Sequence, residues 1–120
     1  MVIEIPAKLP SLNEYINACR SNRYAGAKMK KEVEDTISWY IQRLPRFTGP
    51  VFISFHWVEK TRRRDIDNVA FAKKFILDAL VKCGKLKDDN RNCVVGFEDS
   101  FEYGKENKVI VDIREGLQFT

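Results

Sequence analysis

The sequence predicts an α+β domain: one mostly antiparallel mixed sheet of about four strands, packed with two main helices. Three observations predict it. Two segments repeat apolar residues at three- and four-residue steps, four shorter ones are strand-like, and Pro, Gly and polar clusters separate them. At 120 residues the chain suits a single domain, taken as 1–120.

Val2 to Ile5 alternates apolar and polar and predicts a short strand that Pro6 stops. No period survives from Pro6 to Ala25, so PAKLPSLNEYINACRSNRYA reads as an irregular segment. Its Asn13, Arg20 and Arg23 suit phosphate contacts or simply water. Met29, Val33, Ile37, Ile41 and Leu44 line one face of a helix over Ala27–Leu44, ended by Pro45. Lys28, Lys30 and Lys31 crowd its first turn, where the helix dipole disfavours cations.

Val51 to Lys60 carries apolar residues on both faces and predicts a central strand covered on each side; its His56 reads as a hydrogen-bonded residue. Val69, Ala72, Phe75, Ile76, Ala79, Leu80 and Cys83 then mark the inner face of a second helix from about Asn68 to Cys83, with Gly84 as its stop. Lys85–Asn92 is a polar loop. Cys93–Phe101 and Lys108–Ile113 read as an antiparallel hairpin around YGKEN.

Composition narrows the function. Apolar residues make up 44% and charged ones 32%, a soluble globular balance, and a net charge of +4 leans towards an anionic partner. Three cysteines without a CxxC pair and a single histidine argue against a zinc site and fit buried thiols in a cytoplasmic protein. No apolar run approaches the roughly 18 residues a membrane span needs.

The chemistry concentrates in KTRRRDIDNVAFAKKFILDALVKCGKLKDDN, residues 60–90. Asp65 and Asp67 are two residues apart and can face one ion if the backbone is still extended. Mg²⁺ needs only one or two carboxylates, with waters and substrate phosphate completing its shell; Mn²⁺ is a possible substitute. The plainer alternative has one aspartate capping the helix and the other paired with Arg62 or Arg64. An EF-hand fails, because Val69, Ala70 and Ile76 fall on ligand, glycine and acid positions. On a straight helix Lys74 returns to the line of Asp67 about 10 Å further along, with an i,i+4 pair to Asp78 as its alternative; Lys73 is rotated away.

RRRDIDN, a lysine four residues before DAL, and GKLKDDN together resemble the RusA-type Holliday-junction resolvases. The PSLNEY segment resembles that family's Pro-Ser-x-Asn. The resemblance implies Asp65, Asp67 and Asp89 as metal-binding carboxylates and Lys74 as the catalytic-site lysine. It matches Asn68 and Asn13 to family asparagines. It implies a homodimeric, Mg²⁺-dependent endonuclease that nicks four-way DNA junctions symmetrically in recombination and repair. Arg62, Arg63, Arg64, Arg20 and Arg23 are then expected to hold flanking DNA backbone. A fork or flap nuclease and a non-catalytic DNA-binding protein are the alternatives. NVAFAKK is three residues longer than the best-known members' equivalent, so the lysine is expected to shift about 4.5 Å along the same helix face.

One length raises a difficulty. A helix over Asn68–Cys83 spans roughly 24 Å, which starts Asp88 and Asp89 at its far end from Asp65 and Asp67. Antiparallel packing of two such helices in a dimer would solve this by sharing each site between subunits.

Overall fold

The computed structural model describes residues 1–116; positions 117–120 of the expected domain lie outside the described residues. Its elements are β1 (Val2–Ile5), α1 (Leu12–Ser21), α2 (Ala25–Ile41), β2 (Val51–Glu59), α3 (Ile66–Ala70), α4 (Lys73–Lys82), β3 (Val94–Tyr103) and β4 (Lys108–Glu115). The expected α+β class holds: one mixed sheet, ordered β1-β4-β2-β3, carries the helices.

The hairpin is corrected. β3 and β4 run in opposite directions but do not pair, because β2 lies between them, parallel to β3 and antiparallel to β4. YGKEN does reverse the chain, and the link straddles the end of β2. The Gly104 N–H donates to the Glu59 carbonyl at 3.0 Å, and the Lys60 N–H to Asn107 Oδ1 at 2.9 Å. β2 reaches β3 through α3 and α4, the long crossover that a parallel pair requires.

β2 is central in the sheet, but helices cover only one of its faces. Val51, Ile53, Phe55 and Trp57 are buried beneath them, while Phe52, Ser54 and His56 on the opposite face are half-buried. His56 is hydrogen-bonded there: Nδ1 lies 2.6 Å from Ser100 Oγ and Nε2 lies 3.1 Å from Glu102. Phe55, Ile53, Val111 and Ile113 meet Ile37, Ile41, Phe75, Ile76 and Leu80 in one apolar core. Each such side chain contributes about 1.5–3 kcal/mol by leaving water.

The segment expected to be irregular contains α1. Ser11 and Glu14 form a capping box: the Glu14 N–H donates to Ser11 Oγ at 3.2 Å, and the Ser11 N–H donates to Glu14 Oε1 at 3.4 Å. The Ser-x-x-Glu signature is in the sequence; the weak apolar face behind it, with no fully buried residue, hides the helix from a periodicity reading. α2 begins two residues earlier than expected and ends at Ile41, and Leu44 still reaches the core. Its lysines are paired, Lys28 with Glu32, Lys31 with Asp35, and Lys30 with Asp78 of α4 at 3.3 Å. The expectation of buried thiols fails for Cys19 and Cys83, which are exposed; Cys93 is half-buried.

α1 and α2 approach closely at Gly26, where an added Cβ would fall 2.4 Å from Cys19 Sγ and 3.2 Å from the Cys19 Cα. Gly26→Ala is therefore expected to destabilise the fold by about 1–2 kcal/mol, the overpacking cost less the alanine's helix preference. Urea unfolding checks this, and Cys19→Ala in the same chain should restore part of the loss.

Candidate metal and nucleic-acid site

Arg64 decides where the chain leaves the sheet. Its fork grips Glu59 at the end of β2, with Nε to Oε1 at 2.8 Å and Nη2 to Oε2 at 2.7 Å. Nη1 donates to the Leu9 carbonyl at 2.9 Å and to Glu14 Oε1 at 3.2 Å. Both the Arg64 and Glu59 side chains are only 13% exposed. Arg64 is thus committed to the interior, and the structure corrects its placement among the free DNA-facing arginines.

The next residue is Asp65, in extended conformation at the N-cap of α3, yet its side chain caps nothing. Asp67 follows in the first turn, exposed. Neither carboxylate has a hydrogen-bond or ion-pair partner among the described residues. The alternative of a cap and an arginine pair is therefore not what the chain does. Asn68 turns inward, and its Oδ1 accepts the Asn13 N–H at 3.3 Å, which seats the start of α1 beside the acidic motif.

The expected straight helix breaks after one turn. Phe71 and Ala72 form a turn between α3 and α4, and Tyr15 of α1 stacks on Phe71 and meets Phe75 edge-on. Lys74 therefore stands on a different helix from Asp67, and the single straight helix that put the two on one line is corrected. A shallow open depression lined by Leu12, Asp67, Ala70, Phe71, Lys73 and Lys74 lies over the break.

The two lysines separate. Lys73 turns to the sheet, where its ammonium pairs with Asp99 of β3; Asp99 also accepts the Trp57 indole N–H at 2.9 Å. Lys74 points outward and holds two carboxylates at 3.1 Å each, Asp78 on its own helix and Asp89 in the following loop. Donating hydrogen bonds to Asp78, then Asp89, raises the lysine's pKa above its ordinary value, so it stays an ammonium at neutral pH.

Asp89 reaches Lys74, near the start of α4, within one chain, so the loop after the helix doubles back along it. α4 ends in a Schellman motif. Gly84 has φ +73°, its N–H donates to the Val81 carbonyl at 3.0 Å, and the Lys85 N–H donates to the Leu80 carbonyl at 2.8 Å. Leu86, 2% exposed, drops back into the core and pulls the loop alongside the helix. Gly84 followed two residues later by Leu86 is the legible signal for this reversal, masked by the surrounding lysines. The structure also separates the neighbouring acids: Asp88 is used inside the loop, accepting from the Asp89 N–H and from Asn90 Nδ2. Asp89 faces the lysine.

Asp65 and Asp67 fit a hard divalent cation, being two unpartnered oxygen donors on one short segment. Asp89 is held on Lys74, and among the described residues no group of three His, Cys, Asp or Glu converges to hold a metal ion. Of the basic residues, Arg20 and Arg63 are exposed and without partners among the described residues. Arg23 donates to Tyr24 Oη at 2.7 Å, and Arg62 lies over the Tyr103 ring at 4.5 Å. Free carboxylates bordered by lysine and arginine on an open surface are the groups that a protein handling a polyanion with a metal ion needs.

The family model of Endodeoxyribonuclease RusA matches residues 3–114, and the chain belongs to that family. Its members are metal-dependent crossover-junction endonucleases, the Holliday-junction resolvases of recombination and repair. No curated protein matches the chain. Family membership sets aside the non-catalytic reading. Among the described residues, no helix is long and apolar enough to cross a membrane.

Two outcomes are expected. Arg64→Met should destabilise the protein by about 3 kcal/mol, since it leaves Glu59 half-buried and unpaired; denaturant unfolding measures it. The Lys74 ammonium holds the Asp89 carboxyl below the usual carboxylate range. A depressed acid contributes stability above its unfolded pKa and loses it as pH falls through the folded one. The Asp89 side-chain carbon should therefore titrate by NMR at lower pH than an ordinary aspartate, and return to the ordinary range in Lys74→Met.

Proposed function

We propose that the chain cuts four-way DNA junctions with Mg²⁺, or Mn²⁺ in its place, held first by Asp65 and Asp67 and joined by Asp89. The observation that carries this reading is the pair Asp65 and Asp67, left unpartnered in a basic protein whose other exposed acids largely find cations. When bound, such an ion lowers the pKa of a coordinated water and offsets charge on the leaving oxygen.

The chain's own groups do the rest. Lys74, kept protonated by Asp78 and Asp89, is a charge for the phosphoryl oxygens and not a proton acceptor. Arg63 and Arg20 are free to take flanking phosphates, Arg62 and Arg23 can join them by leaving their tyrosines, and Asn13 and Asn68 brace the backbone between α1 and the acidic motif. Arg64 serves as the anchor beneath. Two symmetric nicks call for two sites, which a homodimer supplies. Three free cysteines suit a cytoplasmic setting.

Asp67→Asn should lower Mg²⁺-dependent junction cleavage at least about 100-fold, the upper end of what loss of even an outer-shell metal partner costs. Binding to the junction should persist, since no phosphate contact is removed. Near wild-type cutting by this variant would sink the metal reading. Mixing Asp65→Asn and Asp89→Asn subunits separates the two arrangements of the site: sites within one chain leave every heterodimer inactive, whereas returning activity would mean that they are shared.

A further inference from the structure

Tyr103 is the last residue of β3, a strand at the sheet's edge. Alternation puts it on the helix-covered face with Phe97, Asp99 and Phe101, but beyond the reach of the helices, and it is 58% exposed. Ile66, the residue between Asp65 and Asp67, is 60% exposed. Single exposed apolar side chains are ordinary. Here two of them line one open cavity with Thr61, so the segment bearing the acidic motif forms its wall. The Arg62 guanidinium lies 4.5 Å from the Tyr103 ring centroid. A planar cation thus already occupies a ring face in the free protein.

We propose that Tyr103, with Ile66 beside it, is a stacking site for a nucleobase that is unstacked at the branch point of the junction. Arg62 covers the ring until DNA arrives, then exchanges the ring for a flanking phosphate. This inference rests on the DNA-junction reading of the site. Its chemistry follows from what each DNA form can offer. A base inside a continuous duplex has both faces occupied by its neighbours, whereas a base at a strand exchange point can present one to an aromatic ring. The site therefore favours branched DNA over linear duplex, while the arginines hold both forms alike. It also places the base next to Asp65 and Asp67, so that stacking would set which phosphate meets the carboxylates.

The test measures dissociation constants for a synthetic four-way junction and for a linear duplex of the same sequence, in EDTA, with wild type, Tyr103→Phe, Tyr103→Leu and Arg62→Gln. Stacking is worth a factor of roughly 5 to 150 per base. Tyr103→Leu should weaken junction binding within that range and leave duplex binding and the salt slope unchanged. Tyr103→Phe, which keeps the ring, should match wild type. Arg62→Gln should weaken both forms and lower the salt slope by about one phosphate contact. A 5-iodouracil at the branch point should photocrosslink to position 103 in wild type and not in Tyr103→Leu. Equal losses on junction and duplex, no loss on either, or a crosslink elsewhere would overturn the proposal. So would a change in oligomeric state in Tyr103→Leu without a change in DNA preference, which would make this surface a protein contact. Because no divalent ion is present, failure here leaves the metal reading standing; absence of junction binding by the wild type would instead remove the DNA reading itself.

Discussion

The Arg64–Glu59 pair is the interaction on which the remainder of the site depends. A guanidinium and a carboxylate, each only 13% exposed, meet through two parallel hydrogen bonds where β2 ends. The same guanidinium takes the Leu9 carbonyl and Glu14, so one side chain ties the central strand to the approach and first turn of α1. A planar fork of five donors suits this task better than a lysine would. Asp65 is the next residue, so its backbone inherits that rigidity while its carboxylate remains free.

The charges of this surface fall into two groups. Lys30, Asp78, Lys74 and Asp89 form a continuous chain of ion pairs from α2 across α4 to the loop. Lys73, Asp99 and Trp57 form a second chain from α4 down to the sheet. Exposed pairs of this kind add little stability individually. Their effect is positional: they orient Lys74 outward, keep Lys73 out of the site, and hold the Asp89 loop against α4. Asp65 and Asp67 belong to neither chain, as metal-binding acids in this family of metal-dependent endonucleases would require.

β2 explains why the sheet takes its order. Its inner residues Val51, Ile53, Phe55 and Trp57 are almost wholly buried. A strand of that kind takes the centre of a sheet, and its neighbours then come from either side, β3 through the helical crossover and β4 through the straddling link. β3 is left at the edge, with Phe97 and Tyr103 exposed beneath Lys73 and Arg62. Tyr103 and the acidic motif thus adjoin because β3, parallel to β2, ends beside Glu59, just before that motif.

Local chemistry determined a good deal of this protein in the sequence alone. Periodicity placed α2, the α3–α4 region and the four strand segments, and RRRDIDN with GKLKDDN marked the family that residues 3–114 match. Asp65 and Asp67 stand out because two carboxylates two residues apart behind three arginines are legible in the sequence alone. What required the tertiary structure involves partners far apart along the chain. Strand order depends on β2 competing as a neighbour for β3 and β4, which a turn signal cannot reveal. Arg64 looks like its two preceding arginines until Glu59, Leu9 and Glu14 surround it. The loop bearing Asp89 reads as running on past the far end of the helix until Gly84 reverses the chain, Leu86 enters the core and Lys74 takes the carboxylate. Each of these outcomes is settled by burial, and burial is a property of the assembled fold that a run of residues does not carry by itself.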